Sequence, residues 1–458
     1  AGEQVLFEGN NRIGVYQAQG GYVADTGFAY AGGRLTITAP LVTSAAGDST
    51  AVKSGGVIRL IAPEGAVADG SYEALGGELR FAGQDVVLDT TIVLHSGKLT
   101  LEAVGDITLG DRSRVDLSGR EVAMFDVKKY SWGGDLSLVS ESGNITQAAG
   151  WVIDLSAVNN AGGTLEAVAL GAANGRVDLA GTILGTASGD YDAGGTMVPF
   201  DAAQLSIEAQ QLADFAGLNT RLNENGVTGA RRFHIKQGNL VVGDEVRARE
   251  VEIFTDGGSL TVDGTIDASG FQVGSIRLGA RDDLTINGAL DAHGTGVRRD
   301  SYGKIIESPN RAIVDLTSRE GTLRVNGGAS VDLRYGTAAP AADITALGTL
   351  TFNARRIGTN DVGIAVTGTP AIDGAKLVAV NAFRTYDDAP LAANPDVTGS
   401  KPQIVTQAYL DALDLDSQAF INAALGNGAL SARLSGLGGY HLRPGVEISS
   451  NAATNPTG

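Results

Sequence analysis

Two pairs of adjacent aspartates are the residues of this 458-residue chain whose type and spacing could do acid–base chemistry. They are Asp282-Asp283 and Asp387-Asp388. Cleavage of a glycosidic bond uses two carboxyl groups about 5–10 Å apart, one of which acts as the acid. The chemistry to consider first is therefore glycan cleavage.

One of these pairs has a histidine downstream. Asp282-Asp283 followed by Ala292-His293-Gly294 resembles the Asp-Asp and Gly-His-Gly signatures of polygalacturonase-like hydrolases. The spacing argues against this function, because side chains of a β-helix share a face when they are one coil of about 20 residues apart. The gap here is roughly half a coil, so the two groups should point to different faces. His293 also stands where other repeats place a serine, which predicts a substituted repeat position.

The remaining histidines and the known motifs predict no site. His95, His234 and His441 are scattered without metal-ligand spacing. Phe233-His234-Ile235 alternates like a strand, which predicts that His234 is an exposed strand residue. The chain has no Gly-x-Ser-x-Gly elbow, no phosphate loop and no calcium-binding Gly-Gly-x-Gly-x-Asp repeat. We therefore predict no catalytic residue, no cofactor-binding residue and no metal ligand.

A repeated phrase suggests which elements would position these side chains. The phrase occurs six times. It begins with an apolar residue and an aspartate, and a small residue and a glycine usually follow within three residues. The Asp and Ser can bond backbone amides at a bend, and the glycine allows a positive φ. The copies are Val115-Asp116-Leu117-Ser118-Gly119, Ile153-Asp154-Leu155-Ser156, Val177-Asp178-Leu179-Ala180-Gly181, Ile266-Asp267-Ala268-Ser269-Gly270, Leu290-Asp291-Ala292-His293-Gly294 and Val331-Asp332-Leu333.

A second phrase alternates with the first. It is a glycine-rich step before residues that alternate between apolar and polar, as a half-buried strand does. An internal repeat of this kind is typical of a solenoid. Examples are Gly32-Gly33-Arg34-Leu35-Thr36-Ile37, Gly76-Gly77-Glu78-Leu79-Arg80-Phe81, Gly133-Gly134-Asp135-Leu136-Ser137-Leu138, Gly257-Gly258-Ser259-Leu260-Thr261-Val262 and Glu320-Gly321-Thr322-Leu323-Arg324-Val325.

The pattern predicts an all-β fold, a right-handed parallel β-helix (solenoid) with a short helical insertion near the C-terminus. Coils of about 20 residues would give some 15–20 rungs and a rod on the order of 70–100 Å. The competing fold is a sandwich or hairpin array, which should show Asp-Gly turns at regular intervals between matched strands. Asp-Gly pairs occur, for example at Asp256-Gly257 and Asp263-Gly264, but without that regularity.

Three segments follow from this pattern. Residues 1–402 are predicted as parallel β-helix, with a small irregular or helical excursion at about 209–225 where Leu212, Phe215, Leu218 and Leu222 have helical spacing. Residues 403–428 are predicted as a helical insertion, and 429–458 as a return to the β-helix or a tail. The insertion could be a recognition or inter-subunit surface or could cover exposed apolar side chains, and both alternatives stay open.

Two helices are expected within that insertion. The first has an apolar face, and Asp416 or Ser417 is expected to cap the second, which runs to Leu425 and ends near Gly426 and Gly428. The stretch 389–402 carries three prolines and is expected to form an exposed loop. The apolar face of the first helix is made by Val405, Tyr409, Leu410 and Leu413.

Composition excludes some classes of function. The formal charge of −18 gives the chain no electrostatic reason to bind nucleic acid, and the pairs Arg231-Arg232 and Arg298-Arg299 are expected on solvated turns. No stretch of about 20 apolar residues occurs, so no membrane span is predicted. The start of the chain has no signal peptide, which suggests a mature chain or, preferably, a fragment. The absence of cysteine fits either chance or a reducing compartment, or export of the unfolded chain through a narrow pore.

The order of the phrases is similar to that of the filamentous-haemagglutinin-like large exoproteins, which are exported by two-partner secretion. The similarity covers most of the chain, but the Asn-Pro-Asn motifs of the family's secretion domain are missing. The chain therefore resembles an internal fragment of such an exoprotein. The most similar blocks are Ala216-Gly217-Leu218-Asn219-Thr220-Arg221-Leu222-Asn223, Arg232-Phe233-His234-Ile235-Lys236-Gln237-Gly238-Asn239-Leu240 and Gly439-Tyr440-His441-Leu442-Arg443-Pro444-Gly445-Val446-Glu447-Ile448.

This resemblance implies a Gram-negative source, secretion or display at the cell surface, and an outer-membrane two-partner secretion pore as the partner during export. It also implies a structural or adhesive role in adhesion, biofilm matrix or filament assembly, with a host-surface, glycan or matrix ligand and no catalysis. Self-association into filaments is a variant of that role. The alternative function is that of a carbohydrate-active or glycan-binding β-helix, which requires carboxylates that converge on one groove.

Overall fold

Parallel strands stacked in long sheets are the main feature of the protein, which is described by a computed structural model. Each coil of the chain contributes strands to up to three sheets, and equivalent strands of successive coils pair in parallel. This arrangement confirms the predicted predominance of β structure and is consistent with a β-solenoid. The structure describes residues 4–15, 17–23, 27–31, 33–66, 68, 72–112, 114–172, 175–336, 347–386 and 405–449.

The longest sheet, here called the long sheet, runs through the whole stack. Its strands alternate between apolar residues that point inward and polar residues that point outward, as the sequence predicts. The strands in spatial order are β2 (Asn11–Val15), β7 (Ser49–Ser54), β9 (Glu78–Gly83), β12 (Lys98–Ala103), β17 (Asp135–Ser140), β20 (Thr164–Ala169), β25 (Gln204–Ala209), β27 (Ala230–Ile235), β30 (Glu250–Thr255), β33 (Ser275–Ala280), β36 (Ile313–Ser318), β39 (Gly348–Ile357), β43 (Ala375–Tyr386) and β44 (His441–Ile448).

A second stack of strands follows the long sheet in each coil. It is divided into a seven-stranded and a five-stranded sheet. The strands are β5 (Leu35–Thr38), β8 (Ile58–Ile61), β10 (Val86–Asp89), β13 (Ile107–Leu109), β18 (Ile145–Gln147), β21 (Arg176–Leu179) and β26 (Gln211–Leu212), then β28 (Leu240–Val242), β31 (Leu260–Val262), β34 (Leu284–Ile286), β37 (Leu323–Val325) and β41 (Ile364–Val366).

A third stack completes the coil and is divided in the same way, into a six-stranded and a five-stranded sheet. Its strands are β1 (Val5–Phe7), β6 (Leu41–Ser44), β11 (Thr91–Val93), β14 (Arg114–Asp116), β19 (Val152–Asp154) and β22 (Thr182–Leu184), then β29 (Val246–Arg247), β32 (Thr265–Asp267), β35 (Ala289–Asp291), β38 (Ser330–Asp332) and β42 (Ala371–Asp373).

Short hairpins and helices decorate these three stacks. The antiparallel pairs are β3 (Gln17–Val23) with β4 (Gly27–Ala31), β15 (Glu121–Met124) with β16 (Val127–Tyr130), β23 (Asp190–Asp192) with β24 (Met197–Pro199), and β40 (Asp361–Val362) with β39. The helices are α1 (Phe215–Glu224), α2 (Gln407–Leu425) and α3 (Gly428–Leu434), and 3-10 turns occur at Ser308–Asn310 and Ser435–Leu437.

The expected number of coils is wrong. Among the described residues the long sheet has fourteen stacked strands, fewer than the expected 15–20. The number is smaller because some coils are longer than about 20 residues. Lys98 pairs with Glu78, whereas Gln204 pairs with Thr164, which lies twice as far back along the chain. Thirteen steps of about 4.8 Å give a stack of roughly 60 Å instead of 70–100 Å.

Glycines recur before the long-sheet strands because successive coils approach closely there. A Cβ atom on Gly97, Gly134 or Gly163 would lie 2.0–2.3 Å from the carbonyl oxygen of the equivalent glycine one coil earlier, which is Gly77, Gly97 or Gly134. No side chain fits at that distance. The Gly-Gly phrase is therefore a packing requirement of stacked coils at this position.

Helix α1 occupies the place of one strand in the third stack. It contacts β22 on one side and β29 on the other, and it buries Phe215, Leu218 and Leu222 of the predicted face. The fourth residue of that face, Leu212, lies outside the helix in strand β26. This helix separates the earlier and later halves of the second and third stacks, whereas the long sheet continues past it.

The C-terminal helices differ from the prediction. Residues 407–425 form one helix, capped by the Thr406 side chain, so the expected cap at Asp416 or Ser417 is wrong. Both of those side chains bond to Arg356 of β39 in the middle of α2. Val405 and Leu410 of the predicted apolar face are exposed. The expected loop at 389–402, residues 403 and 404, and residues 450–458 lie outside the described residues.

Helix α3 closes the end of the second stack. Leu430, Leu434 and Leu437 are buried in the common core, and the Arg433 Nε donates to the carbonyl of Ile364 in β41 at 2.8 Å. The chain then joins the long sheet beyond β43 as strand β44. Within the part of the chain that the structure describes, no helix is long and apolar enough to cross a membrane.

Candidate binding surface

The repeated aspartates form turns at one corner of the coil. In three copies the Asp Oδ1 accepts the backbone N–H of the serine two residues later at 3.0–3.1 Å and its hydroxyl at 2.6 Å. This is the geometry of an Asx turn. It supports the prediction that the phrase is turn chemistry. The three pairs are Asp116 with Ser118, Asp154 with Ser156, and Asp267 with Ser269.

His293 takes the place of the serine in the same turn. The Asp291 Oδ1 accepts the backbone N–H of His293 at 3.1 Å and lies 2.6 Å from its Nδ1. In the next coil the residue two after Asp332 is Arg334, which donates its backbone N–H to the Asp332 Oδ1 at 3.0 Å. Serine, histidine and arginine therefore serve one turn geometry, which supports the interpretation of His293 as a substituted repeat position.

The placement of the copies differs in part from the prediction. Asp267, Asp291 and Asp332 are in register in the third stack, and so is Asp373, a copy that the sequence analysis missed. The copy at Val177-Asp178 is not at this corner. It lies in β21 of the second stack and pairs with Ile145. The phrase alone does not reveal the corner, because a two-residue motif also fits other strand ends.

One group at this corner could hold a metal by proximity alone. Ligand atoms of Asp291, His293 and Asp332 lie within 4.8 Å of one another. However, the Asp332 carboxylate is held by the Arg334 guanidinium, with Nε at 2.9 Å from Oδ1 and Nη2 at 2.5 Å from Oδ2. A metal would have to displace this arginine and the His293 contact, so the arrangement favours a turn.

The aspartate pairs give no converging carboxylates among the described residues. The Asp283 Oδ1 accepts the Thr322 amide at 2.7 Å, and its Oδ2 lies 2.9 Å from Arg324, so it joins neighbouring coils. Asp283 precedes strand β34, whereas His293 follows strand β35 in another sheet. Asp387 and Asp388 lie outside the described residues.

The other histidines are dispersed over the fold. His95 is buried, its Nδ1 lies 3.2 Å from the Ser118 carbonyl oxygen, and burial lowers its pKa. His234 points outward from β27, as predicted, and its Nε2 lies 2.9 Å from Asp256. His441 begins β44 and is exposed. No two of these histidines share a contact among the described residues.

The most variable part of the coil is the connection from the third stack to the long sheet. It is shortest between β42 and β43, where it is the single residue Gly374, and longest at 292–312. Between β9 and β38 the other two corners take one to six residues, apart from α1. We call the long connections at this corner the loop-bearing edge. They are residues 117–134, 155–163, 185–203, 268–274 and 292–312.

The loop-bearing edge holds the exposed aromatic side chains. Among the residues whose side chains are described, five aromatics are more than a third exposed, and all five lie in these connections. Phe125 is fully exposed at the tip of the β15–β16 hairpin, where its φ is +58°. Large exposed apolar groups gathered in one region mark interaction surfaces. The five are Phe125, Trp132, Tyr191, Phe271 and Tyr302.

Neighbouring connections are joined to each other. Side chains and amides of one connection bond to the next, so the edge is a continuous surface. The bonds are Asn160 Nδ2 to the Tyr130 carbonyl at 2.8 Å, the Asn159 amide to Ser188 Oγ at 3.0 Å, and the Arg299 amide to Thr196 Oγ1 at 3.2 Å. The ring of Phe271 also packs on Gly296, where a Cβ would lie 2.6 Å from it.

A second concave region lies on the outer face of the long sheet. It is a groove of about 1250 Å³ that runs across strands β2 to β20. Its acidic side chains are mixed with cations: Glu102 pairs with Arg80 at 2.6 Å, and Glu166 accepts from Ser137 at 3.4 Å. The groove therefore offers a polar surface of both charges.

Comparison with family models, with curated proteins and with solved structures finds no match to this chain. The fold and the surface geometry therefore stand as the basis for a functional assignment. The repeated phrases did not reveal the loop-bearing edge, because this edge is formed by the intervals between them. Those intervals vary in length and contain most of the exposed aromatics of an aromatic-poor chain, which was the available signal.

Proposed function

We propose that this chain is a non-catalytic binding rod, a right-handed parallel β-helix from a secreted surface exoprotein. The loop-bearing edge would present a row of aromatic and polar groups to a glycan or matrix ligand. The observation that carries this proposal is that all five exposed aromatics, among the residues whose side chains the structure describes, lie at one edge. Aromatic rings supply large contact areas at low entropic cost, which suits them to recognition surfaces.

The geometry of the stack supports a scaffold role. The core is a continuous set of buried aliphatic side chains, and each coil pairs with its neighbours along the axis. Such a scaffold is rigid along its length while its corner loops can differ from coil to coil. The right hand of the helix rests on the usual preference for parallel crossovers.

Secretion is a separate part of the proposal. The order of the repeat phrases resembles that of exoproteins exported by two-partner secretion, and the chain has no cysteine. We propose export through an outer-membrane pore of this type to the surface of a Gram-negative cell. An antibody against the chain should label intact source cells or their medium. Labelling that requires cell lysis would contradict the proposal.

The binding role can be tested with the purified protein. Immobilised cell-surface and matrix glycans would be screened, followed by a triple variant with Phe125→Ser, Trp132→Ser and Tyr302→Ser. Loss of aromatic contacts should weaken binding by about ten-fold or more. Because all three side chains are exposed, the free energy of unfolding should change by no more than about 0.5 kcal/mol per site.

A matched control replaces exposed apolar residues away from this edge. Ile13→Ser, Val104→Ser and Val241→Ser remove exposed apolar side chains from other parts of the stack. This triple variant should bind as the unchanged protein does. Equal loss of binding in both triple variants would show that the loop-bearing edge is not the binding surface.

The groove on the long sheet favours a second candidate function, that of a carbohydrate-active β-helix. It is lined by Glu78, Glu102 and Glu166 together with basic residues. Incubation with plausible polysaccharides would give shorter products if the groove were catalytic, and Glu102→Gln should then reduce turnover. If binding is retained and no shorter products form, the non-catalytic scaffold function is the only one of the two that remains.

A further inference from the structure

The C-terminal end of the long sheet carries an arginine-rich pocket. It has a volume of about 510 Å³ and lies between the ends of β39 and β43 and helix α2. Its charged lining consists of four arginines and one carboxylate, in a chain whose formal charge is −18. The sign of this pocket is therefore opposite to that of the whole molecule. The charged residues are Arg319, Arg355, Arg356, Arg384 and Asp416.

Arg356 and Asp416 form the fixed back wall. The Arg356 side chain is 4% exposed, and its Nη1 donates to the Asp416 Oδ2 at 2.8 Å. The Nη2 donates to Ser417 Oγ at 3.0 Å, and the guanidinium carbon lies 4.6 Å from the centre of the Phe420 ring. This pair has its hydrogen bonds satisfied and holds α2 against the sheet.

The other arginines are exposed, and fewer of their guanidinium N–H groups have hydrogen-bond partners. The Arg384 Nη1 reaches the two Asp416 oxygens only at 3.3 and 3.4 Å, with its side chain 54% exposed. Arg319 pairs with Glu447 at 2.5 Å. Arg355 is exposed, and its guanidinium makes no hydrogen bond or ion pair to any other described residue. The mouth of the pocket therefore presents guanidinium donors that the described part of the protein does not satisfy.

We propose that this pocket binds a small molecule through a carboxylate, sulfate or phosphate group, held by Arg355 and Arg384. A guanidinium offers a planar fork of donors that matches two oxygens of such a group. Arg356 adds positive potential from behind, and the single carboxylate, Asp416, is already bonded to Tyr386, Arg356 and Arg384. The site lies at the end of the long sheet and does not depend on the loop-bearing edge.

The proposal is tested by titrating the full chain with sulfate, phosphate or citrate at constant ionic strength and measuring heat by calorimetry. Saturable binding of one of the three should be seen, and Arg355→Gln should weaken it by about ten-fold, the effect of losing a charge-assisted hydrogen bond. Arg384→Gln should act in the same direction. The anion that binds most tightly identifies the oxyanion group.

The matched control is Arg277→Gln. Arg277 is an exposed arginine of the long sheet that pairs with Glu252 at 2.7 Å and is remote from the pocket lining. It should leave the affinity unchanged. No saturable binding of any of the three anions, or an equal loss in the Arg277 variant, would overturn the proposal.

A second variant changes the affinity in the opposite direction. Asp416→Asn removes the only carboxylate of the described lining and its repulsion of an incoming anion. Tighter binding of the same anion is expected, with the helical content checked by circular dichroism. Weaker binding in a variant that retains its helix would contradict the assignment of the pocket.

Discussion

Two helices dock on the solenoid, and each of them lies over a different buried arginine. The two arginines differ in the kind of hydrogen-bond partner that they have. Helix α1 sits in the middle of the stack over Arg231 of β27, whereas α2 closes the C-terminal end over Arg356 of β39. Arg231 is completely buried and its partners are all neutral. Arg356 is bonded to a carboxylate at the rim of the molecule, Asp416, which is 41% exposed.

The neutral partners of Arg231 surround the guanidinium. They come from helix α1 and from the two turns beside it, and burial lowers the pKa of Arg231 to about 9. The bonded atoms are the carbonyl oxygens of Val227, Asn219 and Glu245 and the side-chain oxygens of Asn219 and Asn223.

The difference shows how position decides the choice of partner. A carboxylate beside Arg231 would also have to be stripped of water, and that cost is only recovered with excellent geometry. Backbone carbonyls are already desolvated and need donors, so one arginine satisfies several of them at once. At the end of the stack Asp416 keeps part of its hydration, so an ion pair there costs less.

The largest effect is expected at Arg231. Replacement by methionine keeps the apolar volume but leaves several buried oxygens without a donor, so the free energy of unfolding should fall by on the order of 3 kcal/mol. Denaturation measured by circular dichroism tests this value. The control is Arg232→Met, which removes an outward arginine that is 36% exposed and pairs with Glu250. If both variants lose the same stability, burial is not what distinguishes Arg231.

A smaller effect is expected at Arg356. Arg356→Met leaves Asp416 free to take up water, so the loss should be about 1–2 kcal/mol and confined to the C-terminal helices. Hydrogen exchange should show faster exchange in α2 and unchanged protection in α1. Arg355→Met, at the exposed neighbouring position, is the matched control. A loss in the Arg356 variant as large as that of Arg231→Met would break the comparison.

Acid should weaken the contact of α2 with Arg356 but not the contact of α1 with Arg231. The hydrogen bond from Tyr386, together with Arg384 and Arg356, holds the pKa of Asp416 below its ordinary value of 3.8. The stability that this group contributes is therefore present above that ordinary value and is lost as the pH falls through the lower pKa of the folded state. The contact of α1 with Arg231 has no carboxylate and should not change in this range.

The acid effect is measured as hydrogen exchange of α2, corrected for the intrinsic pH dependence of exchange. The control variant is Asp416→Asn, which should abolish the pH step. A step of the same size in this variant would assign it to other carboxylates.

The smallest effect is expected at Tyr386. Its hydroxyl donates to the Asp416 Oδ2 at 2.5 Å and accepts from the Arg356 Nη1 at 3.2 Å. Tyr386→Phe should cost about 1 kcal/mol and move the acid step of α2 to higher pH, because the hydrogen bond that contributes most to the low pKa is gone. Tyr440→Phe serves as the control. An unshifted step would show that the two arginines alone set the pKa of Asp416.

The sequence predicted α1 and missed Arg231 for a single physical reason. Phe215, Leu218 and Leu222 follow the helical period, and that local signal was sufficient to place a helix. Arg231-Arg232 was expected on a solvated turn, but both residues lie in β27 and Arg231 points inward. Its partners come from α1 and from two turns, so its burial depends on tertiary docking that no local pattern contains.

The same reasoning applies to the corner of the coil and to the loop-bearing edge. The Asx turns could be predicted because aspartate and serine act on each other within one short stretch of chain. The register of the copies could not, since it depends on coil lengths that differ by a factor of two between the Glu78–Lys98 and Thr164–Gln204 pairs. The loop-bearing edge and the arginine pocket bring together residues from several coils, and their side chains become neighbours only in the stack.

The unequal connections at one corner have a consequence for how this molecule can change. The coil from Glu78 to Lys98 and the coil from Thr164 to Gln204 each add one strand spacing to the stack, although the second contains twice as much chain. The length of the stack therefore depends on the number of rungs, while the additional residues of a longer coil extend the surface at its side. Insertions and deletions at this corner can therefore change one face of the protein without changing the length of the stack. Insertion or deletion of a hairpin such as β15–β16 would change this lateral surface and leave the number of rungs unchanged.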